Sequence, residues 1–198
     1  IEEIEFNKKS NFSAKETILP ITQVLFYFTE KEYKTSDIDD KKLLVFLRAC
    51  DLNGVKRIDE IYLRNGIERD YYYERLREKV KFVLIGCKES FRNCFCVSMD
   101  SNKSDNYSMA INLRDDEIYL DIKDSFLDIF EGEACDFEVD YVKENIINLE
   151  VPENINPVEL SKHPMWDEYD ARCIACGKCN FVCPTCTCFT MQDILQRK

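Results

Sequence analysis

Histidine is nearly absent: the 198 residues hold one, His163. Acid–base catalysis by paired imidazoles and a histidine-rich metal site are therefore not expected, and His163, just before Pro164, reads as a surface or capping residue. Glycine is scarce as well, with five residues. No G-x-G-x-x-G and no P-loop occurs, which argues against a flavin, nicotinamide or nucleotide site in this chain. Bases are outnumbered, 27 Lys and Arg against 38 Asp and Glu, for a formal charge of −11. Nucleic acid is then not an expected partner, because phosphates demand a basic face. No membrane span is expected either. The longest apolar run, Ile18 to Phe28, is short and is broken by Thr22 and Gln23. No signal peptide is visible. The first residue is Ile, and ten residues follow the last cysteine, so the sequence reads as a piece of a longer protein.

What the chain does have is apolar content and cysteine. Hydrophobic residues make up 45% and aromatics 12%, enough for a packed core, which argues against disorder. The length suits one domain with an appendage, or two small domains. Eleven cysteines are an odd count, so they cannot all pair within one chain. A secreted disulfide scaffold would be smaller. Their spacing looks like metal ligation, and a reducing, cytoplasmic location is expected. Between Asp115 and Asp140 lie eleven acidic residues and one base, Lys123. That stretch reads as a solvated face. The sharper alternative is a docking face for a basic partner.

The order of elements suggests an α/β (α+β) amino-terminal domain. Lys41 to Phe46, running on through Ala49, reads as a buried strand ending at Cys50, with Asp51 capping the next helix. Val55, Ile58, Ile61 and Tyr62 recur at helical spacing, with a stop near Gly66. Asp70 to Lys79 reads as a second helix. Lys81 to Ile85 reads as a second buried strand, ending at Gly86 and Cys87. If the two strands are parallel, both thiols lie at one sheet edge, where α/β sheets keep their sites. A polar loop, Asp100 to Asn106, precedes a hairpin of Tyr107 to Leu113 and Glu117 to Ile122 around Arg114, Asp115 and Asp116. A short helix is expected over Ser125 to Phe130 and another over Val139 to Leu149. Val151 to Pro157 carries two prolines and two asparagines. The boundary is placed there, giving 1–150 as the α/β domain and 151–198 as a second module. Its helix, Val158 to Tyr169, leads into a cysteine run, and Met165 and Trp166 are expected to pack that helix.

Arg172 to Pro184 reads RCIACGKCNFVCP. This is C-x2-C-x2-C-x3-C-P, the spacing of bacterial [4Fe–4S] ferredoxins. Iron in such clusters takes soft thiolates, and two-residue gaps let a tight loop wrap three of them around one cubane. Gly177 suits the loop by tolerating unusual backbone angles. In two-cluster proteins the fourth cysteine of the run serves the other cluster. Cys173, Cys176 and Cys179 are thus expected to hold one cluster and Cys183 to reach a second. The partner motif is not in this sequence, so 151–198 reads as the first half of a ferredoxin-like module. Cys186 and Cys188 are read as supporting residues. Zinc is the alternative, but it favours two separated cysteine pairs.

Cys50, Cys87, Cys94 and Cys96 form a second constellation. Four thiols at strand ends and in the loop after the second strand would make a further cluster site. Asp51 would then be an alternative ligand or a group bonded to one. The other reading is that they are small buried hydrophobes. Cys135 stands alone. No catalytic residue is assigned.

The segment CIACGKCNFVCPTCTCFTMQDI closely resembles the iron–sulfur subunit of the anaerobic, siroheme-type sulfite reductase. RACDLNGVKRIDEIYL, IGC and CFCVSM resemble that family's amino-terminal domain, and the beta subunit of soluble sulfhydrogenases shares the layout. The resemblance implies a non-catalytic iron–sulfur electron-transfer subunit in a hetero-oligomer. It would pass electrons from a flavin/NAD(P)H-binding subunit to a siroheme subunit that reduces sulfite to sulfide. It also implies two ferredoxin-type [4Fe–4S] clusters in the full-length protein. By position, Cys173, Cys176, Cys179 and Cys183 match the ferredoxin-type ligands, and Cys50, Cys87, Cys94 and Cys96 match the recurring amino-terminal cysteines. The sulfhydrogenase beta subunit is the alternative, and a zinc-stabilised interaction module without redox role is a third.

Overall fold

Two strands of apolar residues joined by two helices set the architecture. In a computed structural model, which describes residues 4–115, 117–127 and 129–195, strand β3 (Leu43–Leu47) leads into helix α1 (Ala49–Asp59). Helix α1 runs on as a π-helical turn, Glu60–Arg64, and is followed by α2 (Tyr71–Arg77). Strand β4 (Val80–Ile85) then returns parallel to β3, with Leu43 opposite Val80 and Leu47 opposite Leu84. Strand β5 (Met109–Arg114) adds in parallel, and β6 (Glu117–Ile122) folds back antiparallel, giving the order β3-β4-β5-β6. Ahead of this sheet, β1 (Phe26–Phe28) and β2 (Tyr33–Thr35) form a separate antiparallel pair.

The alternating side chains of β4 feed two cores. Phe82 and Leu84 pack with Leu52, Val55 and Ile58 of α1, with Tyr73 of α2 and with Ile18. Val83 and Ile85 face the other way, onto Met109, Ile111 and Leu127. A strand buried on both faces needs no polar alternation, which is why Phe82 to Ile85 is an apolar run. Each fully buried Leu or Ile here contributes about 2 kcal/mol relative to exposure. At the carboxyl end of α1, Asp59 is buried and accepts hydrogen bonds from Tyr73 Oη (2.5 Å) and from Arg77 Nε (3.0 Å) and Nη2 (3.2 Å). Asp70 caps α2, its carboxylate accepting from Tyr73 N at 2.8 Å.

Several expectations are corrected. Strand β3 is not buried: Leu43, Leu44 and Phe46 are exposed, because it is the edge strand, paired on one side only. Cys50 lies in the first turn of α1 rather than at a strand end, and Arg48, not Asp51, is the N-cap. Val139 to Leu149 is not helical. Its backbone is stitched across the fold instead: Asp140 O accepts from Cys87 N (2.7 Å) and Val142 O from Asn102 Nδ2 (2.8 Å), while the preceding Glu138 O accepts from Asn112 Nδ2 (3.2 Å). The expected helix over Val158 to Tyr169 is two helices, α3 (Pro157–Leu160) and α4 (Met165–Arg172), parted at Pro164. The helix expected over Ser125 to Phe130 is a 3₁₀ turn, Ser125–Leu127. Asp116 and Asp128 lie outside the described residues. Part of the acidic stretch is committed internally, with Asp140 on Arg114 and Asp124 on Lys81. Among the described residues no helix is long and apolar enough to cross a membrane.

Candidate metal centre

Helix α4 ends at Cys173, and the chain then coils tightly before α5 (Lys178–Val182). The coil needs two left-handed residues, Ala175 (φ +55°) and Gly177 (φ +70°). Gly177 takes that angle freely, whereas Ala175 takes it against its Cβ. Ala175 N donates to Cys173 Sγ at 3.4 Å. Cys179 lies in the single turn of α5, and Cys183 follows as its C-cap, its N–H donating to Cys179 O at 3.2 Å. The run therefore presents Cys173, Cys176 and Cys179 at an exposed loop, with Cys183 half-buried behind them.

The cysteine–proline end of the loop is seated on the α/β domain. Pro184 lies against Gly54 of α1 so closely that a Cβ at residue 54 would stand 2.8 Å from Pro184 Cβ. Lys15, buried in the 3₁₀ turn Ala14–Thr17, donates from Nζ to three carbonyls of the loop: Asn180 (2.5 Å), Cys183 (2.9 Å) and Cys186 (3.0 Å). Asn180 Nδ2 donates to Cys188 O at 2.7 Å. Burial acts to raise the Cys183 pKa, but hydrogen bonds from Thr185 and from Cys186 N outweigh it, and with the Lys15 charge they hold this thiol below its ordinary value. Cys188 is shifted the other way, by a hydrogen bond with Cys186 and by repulsion from it.

The amino-terminal cysteines lie near one another at the carboxyl edge of the parallel strands. Cys50 follows β3, Cys87 follows β4, and Cys94 and Cys96 come from the loop that links β4 to β5. Desolvation, then the charge of Asp51, then repulsion from Cys96, Cys87 and Cys94 push the Cys50 thiol up to about 12. Burial likewise raises Cys87, against the opposing pull of Arg48, while Cys94 and Cys96 add to the rise. Arg48 fixes that corner, donating to Cys87 Sγ (3.3 Å), Gly86 O (2.9 Å) and Phe6 O (2.5 Å). Asn145 fixes the loop: its Oδ1 accepts from Val97 N at 2.7 Å, and its Nδ2 donates to Ser90 Oγ at 2.9 Å and to Cys96 Sγ at 3.7 Å. Burial raises the Asp51 carboxyl too, against a hydrogen bond from the Arg48 backbone and the charges of Lys9 and Arg48.

Both groups are all-sulfur, the donor set iron–sulfur clusters take. Among the described residues no three His, Cys, Asp or Glu side chains converge closely enough to grip a single ion. The fold gathers the thiols without closing them on one point, and a cubane spreads its ligands more widely than one zinc ion does. Gathered thiols that resist ionising together suit a cationic iron core, which supplies the missing positive charge. Cys135 is exposed beside Tyr119, apart from both groups. His163 is exposed just ahead of α4, whose N-cap is Pro164, and its Nδ1 accepts from Met165 N at 3.2 Å. Trp166 is half-exposed and ties α4 back to Leu160 O through Nε1 at 2.5 Å. Sequence reasoning missed Lys15, Arg48, Asn145 and Gly54. Each works through a partner far along the chain, and no local pattern marks it.

Comparison with known proteins agrees with the chemistry of the donors. Residues 172–198 match the family model of the 4Fe-4S dicluster domain, which defines the carboxyl-terminal segment as iron–sulfur and its cofactor as the [4Fe–4S] cluster. In an alignment of 187 positions that takes in 85% of this chain, the sequence is 27% identical to sulfhydrogenase 2 subunit beta of Pyrococcus furiosus. The match spans 55% of that protein, so this chain covers about half of its relative's length. The relative is a sulfhydrogenase subunit rather than a sulfite reductase subunit, which reverses the order of the two settings expected from sequence. No solved structure matches the chain.

Proposed function

We propose that this chain is the electron-relay part of a sulfhydrogenase-type beta subunit, carrying electrons between a flavin/NAD(P)H-binding partner and a hydrogenase partner in a hetero-oligomer. The observation that carries the proposal is the C-x2-C-x2-C-x3-C-P loop inside a 4Fe-4S dicluster match, on a chain similar over 85% of its length to a sulfhydrogenase beta subunit. When bound, the clusters supply one-electron transfer. The chain itself supplies thiolates, shields them and holds the loop still. Residues 1–150 are the α/β domain, and 151–198 are the first half of a ferredoxin-like module. Cys173, Cys176 and Cys179 ligate one cluster, and Cys183 ligates the second. Cys50, Cys87, Cys94 and Cys96 ligate a further cluster at the sheet edge, where the gathered thiols support the reading. A sulfite reductase setting rests on the sequence resemblance alone, carried by CIACGKCNFVCPTCTCFTMQDI and the amino-terminal segments.

Iron and acid-labile sulfide per chain, measured after anaerobic reconstitution, test the reading. Both should be present, with absorbance near 400 nm that dithionite bleaches. Zinc without sulfide would overturn it in favour of a zinc-stabilised module. Replacing Cys94 and Cys96 by Ser should lower the iron content of a folded protein, and unchanged iron would remove the amino-terminal cluster from the proposal.

A further inference from the structure

Lys15 is a buried charge that ligation alone does not explain. Its residue is 7% exposed. The turn that carries it is rigid: Ser13 Oγ accepts from Lys15 N, Lys15 O accepts from Ile18 N and Leu19 N, and Ile18 is locked in the core. Three loop carbonyls satisfy the ammonium donors but leave the charge without an anion. Among the described residues no carboxylate forms an ion pair with it. A buried cation of this kind calls for a negative partner. Two of its three carbonyls belong to cysteines, Cys183 and Cys186, so the charge is fixed on the backbone that carries their thiols.

We propose that Lys15 is the fixed counter-cation of the iron–sulfur site that Cys183 ligates, and that it raises the reduction potential of that site. The inference rests on the reading of Cys183 as a ligand. Uptake of one electron adds one negative charge to a thiolate-ligated site and makes or breaks no bond. A cation held close by in a weakly polar setting stabilises that added charge. Net charge and hydrogen bonding near the sulfurs are among the factors that set such potentials. The carbonyl cage also keeps Nζ from swinging to solvent, so the charge acts at one fixed place. Lys15 is thus a positioning residue for the loop as well as the source of the field.

The test compares Lys15→Gln, Lys15→Met and Lys15→Arg in the reconstituted holoprotein. Each variant is assayed for iron, sulfide and the midpoint potential of every cluster. Gln keeps donors for the carbonyls and removes the charge. With iron retained, Gln and Met should lower one midpoint potential by about a tenfold change in the reduction equilibrium, about 59 mV for one electron. Lys15→Arg should stay near the starting value. Loss of iron in Gln and Met with retention in Arg would also support the proposal, since Arg alone of the three keeps the positive charge. Unchanged potentials in Gln with full iron would overturn it. Equal loss of iron in all three variants would overturn it too, leaving Lys15 a packing post. A separate control, Cys183→Ser, reports on the ligand reading: full iron and unchanged spectra there would mean that Cys183 is no ligand, whatever Lys15 does.

Discussion

Asp59 is the residue on which α1 and α2 agree. Its carboxylate holds Tyr73 Oη and the Arg77 guanidinium at the carboxyl end of α1. Replacing Asp59 by Ala would strand a mostly buried guanidinium and should cost about 3 kcal/mol in a urea titration. Ala175 offers the opposite opportunity. Its φ of +55° costs an alanine about 1 kcal/mol that glycine would not meet. Ala175→Gly should therefore keep the iron content and slow its loss to a chelator. The thiols also give a pH dependence. Folding raises the pKa of Cys50 from 9.0 to about 12 and raises Cys87 as well. The folded apoprotein thus holds these protons more tightly than the unfolded chain. The stability this provides is full below about pH 9 and is lost as pH rises toward 12. Denaturation midpoints of the apoprotein should fall across that window, and a Cys50→Ser variant should fall less.

At the scale of elements, the contact between α1 and the cysteine–proline loop sets the seating of the site. Gly54 leaves no room for a methyl group against Pro184. Gly54→Ala should lift the loop, break the Lys15 cage and lower iron retention, while circular dichroism of the α/β domain stays unchanged. Much of this element structure was readable beforehand. The apolar run Phe82 to Ile85 of β4, the helical spacing through Tyr62 and the hairpin of β5 and β6 each carry a local signal, and each is present in the structure. What local signals cannot convey is the neighbour. The apolar letters of β3 do not say that it is an edge strand. The pattern over Val139 to Leu149 does not reveal that carbonyls in and beside it are claimed by Cys87, Asn102 and Asn112. The cysteine spacings were legible for the same reason that β4 was, being local. Lys15 was not, because its carbonyls lie 165 to 171 residues away.

At the scale of the whole molecule, the sheet, the thiol edge and the cysteine–proline loop form one connected structure, tied by the Lys15 cage at one end and by Arg48 and Asn145 at the other. That cage has a consequence for the order in which the molecule is completed. The ribosome makes Lys15 well before Cys186. Strands β3 to β6 hold every contact of the sheet by Ile122, so the sheet can close while the chain is still growing. The three carbonyls that take its protons are not made until the chain reaches residues 180 to 186. A contact spanning 165 to 171 residues closes a long loop and adds to the non-local share of the fold. The arm that carries Lys15 is made before the sheet and the loop it fastens is made after it, and that loop is the one that bears the cysteines.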